Sequence, residues 1–204
     1  MRFALSLGSN VGDSLATLRA AVAELAAVPG LTLDAVSGVY RTAPVGGVEQ
    51  ADFFNIVVTG TTDLPPRAVS DAAHAVEDAH GRTREVRWGP RTLDVDVLVC
   101  GDVVSDDPEL TLPHPRAHER AFVLVPWEDA DPDAVLPGHG RVGGRLLDVA
   151  RAGLAMVTAW TTPSTICSRR TAATPPLRRA TSTATPTRGS RWSRAWTPGC
   201  SRWR

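Results

Sequence analysis

Two aspartates, Asp94 and Asp96, are the residues of this chain whose types and spacing most clearly indicate chemistry. They stand two positions apart in an apolar segment, residues 92–99, that has the composition of a β-strand. Alternate side chains of a strand point to the same face, so the two carboxylates are predicted to project side by side. Arg87 and Arg91, just before the pair, add cations that match phosphate oxygens. Paired carboxylates beside arginines suit Mg²⁺ carrying a polyphosphate, although they would also suit the solvated face of an amphipathic strand.

The pattern of apolar residues predicts the elements that would position this pair. Strands are expected at residues 3–7, 31–40, 53–59 and 92–99, and residues 41–52 are expected to form a loop. One helix would begin at Asp13 or Ser14 and stop at Pro29-Gly30, and a second would run from Pro65-Pro66 to Gly81. The order β-α-β-β-α-β is the ferredoxin-like arrangement, an α+β fold with helices packed on one face of an antiparallel sheet.

Elements beyond the sixth one would form a C-terminal extension of this core. We expect a hairpin around Val103-Val104, a helix near residues 117–130 and a short helix at residues 146–150. Trp160 is expected to end the folded part.

Charge divides the chain at about Trp160. All 22 basic residues are arginines. Residues 1–160 contain 13 of them and all 22 acidic residues, which gives a net charge of −9. Residues 161–204 contain the other nine arginines and no acidic residue, which gives a net charge of +9. We therefore predict a domain at 1–160 and a tail at 161–204. The tail is rich in Arg, Thr, Pro and Ser, has no amphipathic period and is expected to be disordered. A shifted reading frame or an arginine-rich nucleic-acid arm are alternative hypotheses for it.

Composition excludes several classes of protein. No apolar run is long enough to span a bilayer, and the first apolar segment is too short for a signal peptide. Cys100, Cys167 and Cys200 have neither metal-ligand spacing nor the pattern of a disulfide framework. We therefore expect a cytoplasmic enzyme without nucleic-acid or membrane partners, and a monomer.

Four patches of the chain resemble the 6-hydroxymethyl-7,8-dihydropterin pyrophosphokinases of folate biosynthesis, from about Phe3 to Trp160. They agree in order and spacing: Leu7-Gly8-Ser9-Asn10, Tyr40-Arg41-Thr42-Ala43-Pro44, Arg82 to Asp96 with Arg-Trp-Gly-Pro-Arg-Thr-Leu-Asp-Val-Asp, and Leu112-Pro113-His114-Pro115 with His118-Glu119-Arg120-Ala121-Phe122. The resemblance implies a ferredoxin-like fold and transfer of the terminal diphosphate of ATP to the hydroxymethyl group of the pterin, which leaves AMP.

The resemblance also implies roles for individual residues. Asp94 and Asp96 match ligands of two Mg²⁺ ions, and with Arg82 and Arg91 they form the catalytic set. The matches to ATP contacts are His74, Glu77, Arg84, Arg87, Arg91, Leu98, His114 and Arg120. The matches to pterin contacts are Thr42, Val45, Phe53, Asn55, Phe122 and Trp88, with Phe53 and Phe122 stacking on the two sides of the ring and Trp88 closing over the site.

Each implied role has a structural alternative. Phe53 and Phe122 could be core aromatics, His74 could be a surface residue, and Arg82 and Arg84 could be solvated loop charges. Asn55 is harder to explain in this way, because a buried amide needs hydrogen-bond partners. The assignment of the family's residue roles to this chain is strongest for five positions: Asp94, Asp96, Arg91, His114 and Asn55.

Two other functions remain as alternatives. Another ATP-dependent phosphotransferase is one, but a P-loop kinase is disfavoured because the chain has no lysine to complete the motif. An RNA-binding module is the second, since RNA-recognition domains share the same order of elements. The acidic domain and the lack of their sheet-borne aromatic signature argue against it.

Overall fold

The first half of the chain alternates strands and helices, as its apolar pattern predicts. The computed structural model describes residues 1–44, 50–81, 90–151 and 157–159. The elements of its first half are β1 (Arg2–Ser9), α1 (Ser14–Ala27), β2 (Leu31–Val36), β3 (Tyr40–Thr42), β4 (Phe53–Thr62), α2 (Pro66–Ala79) and β5 (Asp94–Cys100). Asp13 caps α1, because its side chain accepts the backbone N–H of Ala16 at 3.0 Å.

Shorter elements make up the rest of the described chain. They are β6 (Ser105–Asp107), β7 (Leu110–Leu112), a 3-10 turn (Ala117–Glu119), α3 (Ala121–Ala130), β8 (Val135–Leu136), β9 (Gly140–Arg141), α4 (Val142–Arg151) and β10 (Val157–Ala159). No helix within the described ranges is both long and apolar enough to cross a membrane.

The main sheet is antiparallel at every pairing between described strands. β1 lies between β4 and β5 and pairs with both along most of its length. The other edge of β4 is shared, since β2 pairs with residues 58–62 and β3 pairs with residues 53–55. β10 then pairs with β3. β5 is therefore an edge strand of the sheet.

Apolar side chains on both faces of the sheet bury two separate cores. Alternate residues such as Leu5, Ile56 and Val95 pack with α1 and α2 in the first. Their neighbours Ala4 and Val57 pack on the opposite face, with α3 and α4, in the second. The two helices of the predicted core, α1 and α2, therefore lie on one face of the sheet. The central strands are apolar on both sides, and α3, from the segment after β5, covers part of the second face.

The predicted strand at residues 31–40 is divided. β2 ends at Val36, and β3 lies partly in the segment expected to be a loop. Ser37 produces the division, because its backbone N–H donates to the carbonyl of Val57 and its hydroxyl accepts the Val57 N–H, both at 2.9 Å. Before Ser37, Val36 of β2 pairs with Val58 of β4; after it, Tyr40 of β3 pairs with Asn55 of the same strand.

Three expectations about the second half need adjustment. The hairpin strands β6 and β7 begin just after Val103-Val104, and α4 begins at Val142, earlier than residue 146. The helix expected near 117–130 is divided at Arg120, whose backbone is extended (φ −105°, ψ 105°). The short strands β8, β9 and β10 had no sequence signal. Trp160 and the tail at 161–204 lie outside the described residues.

Candidate active site

Asp94 and Asp96 lie side by side at the start of β5, as their spacing predicts. Leu93, Val95 and Val97 between and beside them are buried in the first core, so the two carboxylates project from the second face of the sheet. The Asp94 side chain is 18% exposed and that of Asp96 is 37% exposed. The Asp96 carboxylate is therefore the more exposed of the two, and packing in the core fixes the backbone that carries both.

A buried carboxylate on α2 holds the strand between the two aspartates. Glu77 is only 1% exposed, and its Oε1 accepts the backbone N–H of Val95 at 2.6 Å. This bond satisfies a main-chain donor of an edge strand and compensates part of the cost of burying Glu77. His74, one helical turn earlier, is exposed. Sequence reasoning placed both near the nucleotide; in the structure Glu77 supports β5 from the first face.

Two arginines and a histidine lie close to the aspartates. Arg91 forms an ion pair with Asp94. Arg120 Nη1 and His114 Nε2 approach the same oxygen of Asp96, at 3.7 and 3.8 Å. These residues come from three separate parts of the chain, and the break at Arg120 between the 3-10 turn and α3 places its side chain here.

The main chain and its neighbours orient the His114 ring. Its backbone N–H donates to the carbonyl of Leu98 at 2.9 Å, and its Nδ1 accepts the backbone N–H of Arg116 at 3.1 Å. A neutral ring that accepts at Nδ1 carries its hydrogen on Nε2, which is the atom that faces Asp96. Burial lowers the pKa of His114, partly opposed by the charge of Asp96. The ring therefore presents Nε2 towards Asp96, and its burial disfavours the protonated form.

Arg120 joins the carboxylates to an aromatic ring. Its guanidinium carbon lies 5.6 Å from the centre of the Phe122 ring, within cation–π range. Burial lowers the pKa of Arg120, and Asp96 opposes that shift. An arginine nevertheless keeps its charge in proteins, so a positive group stays between Asp96 and Phe122.

Asn55 and Thr42 form a buried polar pair on the neighbouring strands. Asn55 Nδ2 donates to Thr42 Oγ1 at 2.8 Å, and the two residues are 5% and 6% exposed. Phe53 lies on the same face of β4 and is half-buried, whereas Phe54 packs against the first core. Two positions predicted to contact the pterin are therefore in direct contact with each other.

Gly8 separates the two halves of the site. It pairs with Asp94 on one side and with Asn55 on the other, so the three residues form one row across β5, β1 and β4. Adjacent strands are about 4.8 Å apart, which puts the Asp94 and Asn55 backbones roughly 10 Å apart. A Cβ at Gly8 would lie 3.0 Å from Asn55 Oδ1. Because Gly8 has no side chain, the sheet surface between the Asp94 carboxylate and the Asn55 amide is left uncovered at this residue; we call this surface the open floor of the site.

One predicted site residue is buried in the core, and five lie outside the described residues. Leu98 is fully buried in the second core, so its side chain has no surface to offer a nucleotide. Its carbonyl, however, holds His114. Val45, Arg82, Arg84, Arg87 and Trp88 lie outside the described residues.

Sequence reasoning missed Asn10 as a site residue. It is 8% exposed and connects the residues before β4 to the residues before β5. Its side chain donates to Gln50 Oε1 and to the carbonyl of Ala51, both at 3.0 Å, and accepts the backbone N–H of Arg91 at 2.8 Å. Its place in the turn Gly8-Ser9-Asn10, directly after a buried strand, was the available signal.

The donor set is compatible with Mg²⁺. Magnesium prefers oxygen ligands and commonly takes one or two carboxylates, with phosphate oxygens and water completing its coordination. Asp94 and Asp96 offer such oxygens on one face. Among the residues that the structure describes, no group of three or more His, Cys, Asp or Glu side chains could hold a metal by itself. Phosphate oxygens of a substrate and water would complete the coordination of a cation held by these carboxylates.

Fold and site together describe an α+β domain whose paired carboxylates, flanked by arginines, suit Mg²⁺ carrying a polyphosphate. Comparisons with known proteins identify the family. A family model described as 7,8-dihydro-6-hydroxymethylpterin-pyrophosphokinase (HPPK) matches residues 4–132. The chain belongs to this family of pyrophosphokinases.

Individual relatives agree with the family model. The 2-amino-4-hydroxy-6-hydroxymethyldihydropteridine pyrophosphokinase of Methylorubrum extorquens is 46% identical over 135 residues, which are 66% of this chain and 85% of that protein. The protein of the same name from Mycobacterium tuberculosis is 44% identical over 149 residues, 68% of this chain and 77% of the relative.

A solved structure shares the fold. The crystal structure of Plasmodium falciparum HPPK-DHPS with pterin and p-hydrobenzoate matches with a TM-score of 0.56 at 14% identity. The match covers 74% of this chain and 45% of that one, so this chain spans less than half of the larger protein.

Proposed function

We propose that the residues around Asp94, Asp96 and Asn55 perform the reaction of this family: transfer of diphosphate from ATP to 6-hydroxymethyl-7,8-dihydropterin, a step of folate biosynthesis. The oxygen of the pterin hydroxymethyl group bonds to the β-phosphorus of ATP. The bond from that phosphorus to the oxygen bridging the α- and β-phosphates breaks, AMP leaves with this oxygen, and the hydroxyl proton is released. The observation that carries the proposal is the row Asp94, Gly8, Asn55, which pairs a carboxylate site with an amide site across an open glycine.

The carboxylate half would bind the triphosphate. Asp94 and Asp96 would hold Mg²⁺, and we propose two ions, which would neutralise phosphate charge and polarise the reacting oxygens. Arg91 and Arg120 would contact phosphate oxygens as charged donors, and neutral His114 would donate from Nε2. Such a reaction depends chiefly on positioning and charge neutralisation. Arg82, Arg84, Arg87, His74 and the main chain at Leu98 remain proposed contacts of ATP.

The amide half would bind the pterin. The Asn55 amide has both a donor and an acceptor for the polar edge of a flat heterocycle, and Thr42 supports its orientation. Phe53 and Phe122 would stack on the ring. Val45 and Trp88 are proposed to complete the pocket.

The finer fold class and the molecular state are also proposals. The strand order β5-β1-β4-β2 supports a ferredoxin-like βαββαβ core, with the segment after β5 as its C-terminal extension. We propose a catalytic domain at 1–160 followed by a separate tail, a monomer in solution and a cytoplasmic location, where ATP and Mg²⁺ are abundant. Light scattering after size-exclusion chromatography, on the full chain and on residues 1–160, would test the first two.

Product analysis tests the function. The protein is incubated with ATP, Mg²⁺ and 6-hydroxymethyl-7,8-dihydropterin, and nucleotides and pterins are separated. AMP and pterin diphosphate formed in equal amounts would support the proposal, whereas ADP would indicate an ordinary kinase. Folded protein that forms no pterin-dependent AMP would overturn it.

A pair of variants tests the site. Asp96→Asn should lose nearly all turnover, because a neutral amide no longer holds the cation or balances Arg120. Asp106→Asn, an exposed position on β6, makes the same chemical change away from the site and should keep full activity. Equal activity of both variants would contradict the assigned role of Asp96.

A further inference from the structure

Asn10 contacts two segments that lead to opposite halves of the site. Residues 50–51 precede β4, which carries Phe53 and Asn55, and Arg91 precedes β5, which carries Asp94. Arg91 is 81 positions away in sequence and Gln50 is 40 away, so only the fold brings them together.

Every polar atom of the Asn10 side chain faces a partner in this arrangement. Its Nδ2 donates to Gln50 Oε1 and to the Ala51 carbonyl at 3.0 Å each, and its Oδ1 accepts the Arg91 N–H at 2.8 Å. Its backbone N–H also donates to the Arg91 carbonyl, at 3.1 Å. Asn10 and Arg91 thus bond in both directions, which fixes the position from which the Arg91 side chain reaches Asp94.

We propose that Asn10 is a positioning residue that sets the placement of Arg91 and of the start of β4 relative to each other. This inference rests on the proposed function. Asn10 touches neither reactant in the proposed scheme; it acts through Arg91 on the phosphate side and through residues 50–51 on the pterin side. Group transfer across the open floor at Gly8 needs both halves at a fixed distance, and misplacement by about 1 Å can cost about 100-fold in rate.

Two substitutions distinguish the contact of Asn10 with Arg91 from its contacts with Gln50 and Ala51. Asn10→Ala removes the acceptor for Arg91 and both donors to Gln50 and Ala51. Asn10→Asp keeps an oxygen for the Arg91 N–H but lacks the amide hydrogens. Both variants should raise the KM for the pterin. Only Asn10→Ala should also lower kcat strongly, by about 100-fold, whereas Asn10→Asp should recover most of kcat. The KM for ATP should stay within about threefold in Asn10→Asp, which keeps the bond to the Arg91 N–H.

A matched control accounts for loss of stability. Val22→Ala truncates a partly buried side chain of α1 in the first core, away from the site. It should lower Tm and leave kcat and both KM values unchanged at a temperature where all variants are folded. Steady-state kinetics on the full chain, with AMP as the measured product, provides the comparison, and circular dichroism verifies folding.

The outcomes distinguish this proposal from the function on which it rests. A wild-type chain that forms no pterin-dependent AMP would overturn the proposed reaction. An active wild type with equal kcat in Asn10→Ala would overturn the positioning role alone. A kcat in Asn10→Asp as low as in Asn10→Ala would also overturn it, because the retained acceptor would then have no effect.

Discussion

Replacing Glu77 tests whether this residue supports β5 or contacts the nucleotide. It is 1% exposed and accepts the Val95 N–H at 2.6 Å, between the two aspartates. Glu77→Ala leaves that N–H without this acceptor. Hydrogen bonds to charged groups contribute about 1.5–3 kcal/mol. The cavity left by truncation adds to this loss, and relief from burying a charge reduces it.

These terms give an expected loss of about 2 kcal/mol for Glu77→Ala. In a protein of this size, 1 kcal/mol corresponds to about 2–4 °C in Tm, so Tm should fall by about 4–8 °C. Glu77→Gln keeps an acceptor of similar shape without the charge and should lose about 1 kcal/mol, the value of a neutral hydrogen bond. The exposed neighbour Asp78→Ala is a control on the same helix and should change Tm little.

Thermal melts and urea titrations measure the stabilities, and the kinetics separate the two roles. A supporting residue predicts that Glu77→Ala lowers both Tm and kcat, with Glu77→Gln between it and the wild type. A residue that contacts ATP through its carboxylate predicts instead that Glu77→Gln raises the KM for ATP at unchanged Tm. That second result would refute the supporting role.

Three further changes follow from the structure. Gly8→Ala would put a Cβ 3.0 Å from Asn55 Oδ1 and shift that amide at a cost of about 0.5–1.5 kcal/mol. The KM for the pterin should therefore rise about two- to tenfold, while the KM for ATP should not change. Equal changes in both KM values would contradict this prediction. Arg120→Leu removes the charge between Asp96 and Phe122, so the KM for ATP should rise at least tenfold, and an unchanged value would count against a phosphate contact. Burial raises the pKa of Cys100 from 9.0 to about 11; its contribution to stability is complete below pH 9 and is lost as the pH rises towards 11, because the unfolded thiol ionises first. Urea unfolding under reducing conditions at pH 8 and 10 should show a smaller decline for Cys100→Ala than for the wild type, and parallel declines would refute it.

Local pattern predicted much of this protein. Alternation in residues 93–97 placed Asp94 and Asp96 on one face, because side-chain direction in a strand depends only on the parity of the position. The capping residue Asp13 and the turn at Pro29-Gly30 bounded α1 for similarly local reasons. The motifs around the aspartates and His114 indicated the family before any contact was known.

Tertiary structure decided the features that depend on distant partners. Asn10 became a connecting residue only because residues 50–51 and 91 lie against it, and Glu77 became a support only because α2 packs beneath Val95. α3 lies on the second face because the central strands are apolar there, while β3 and β10 exist because they pair with each other and β3 pairs with β4. A hydrogen bond between residues far apart in sequence has no local pattern, because its energy depends on where the fold places both groups.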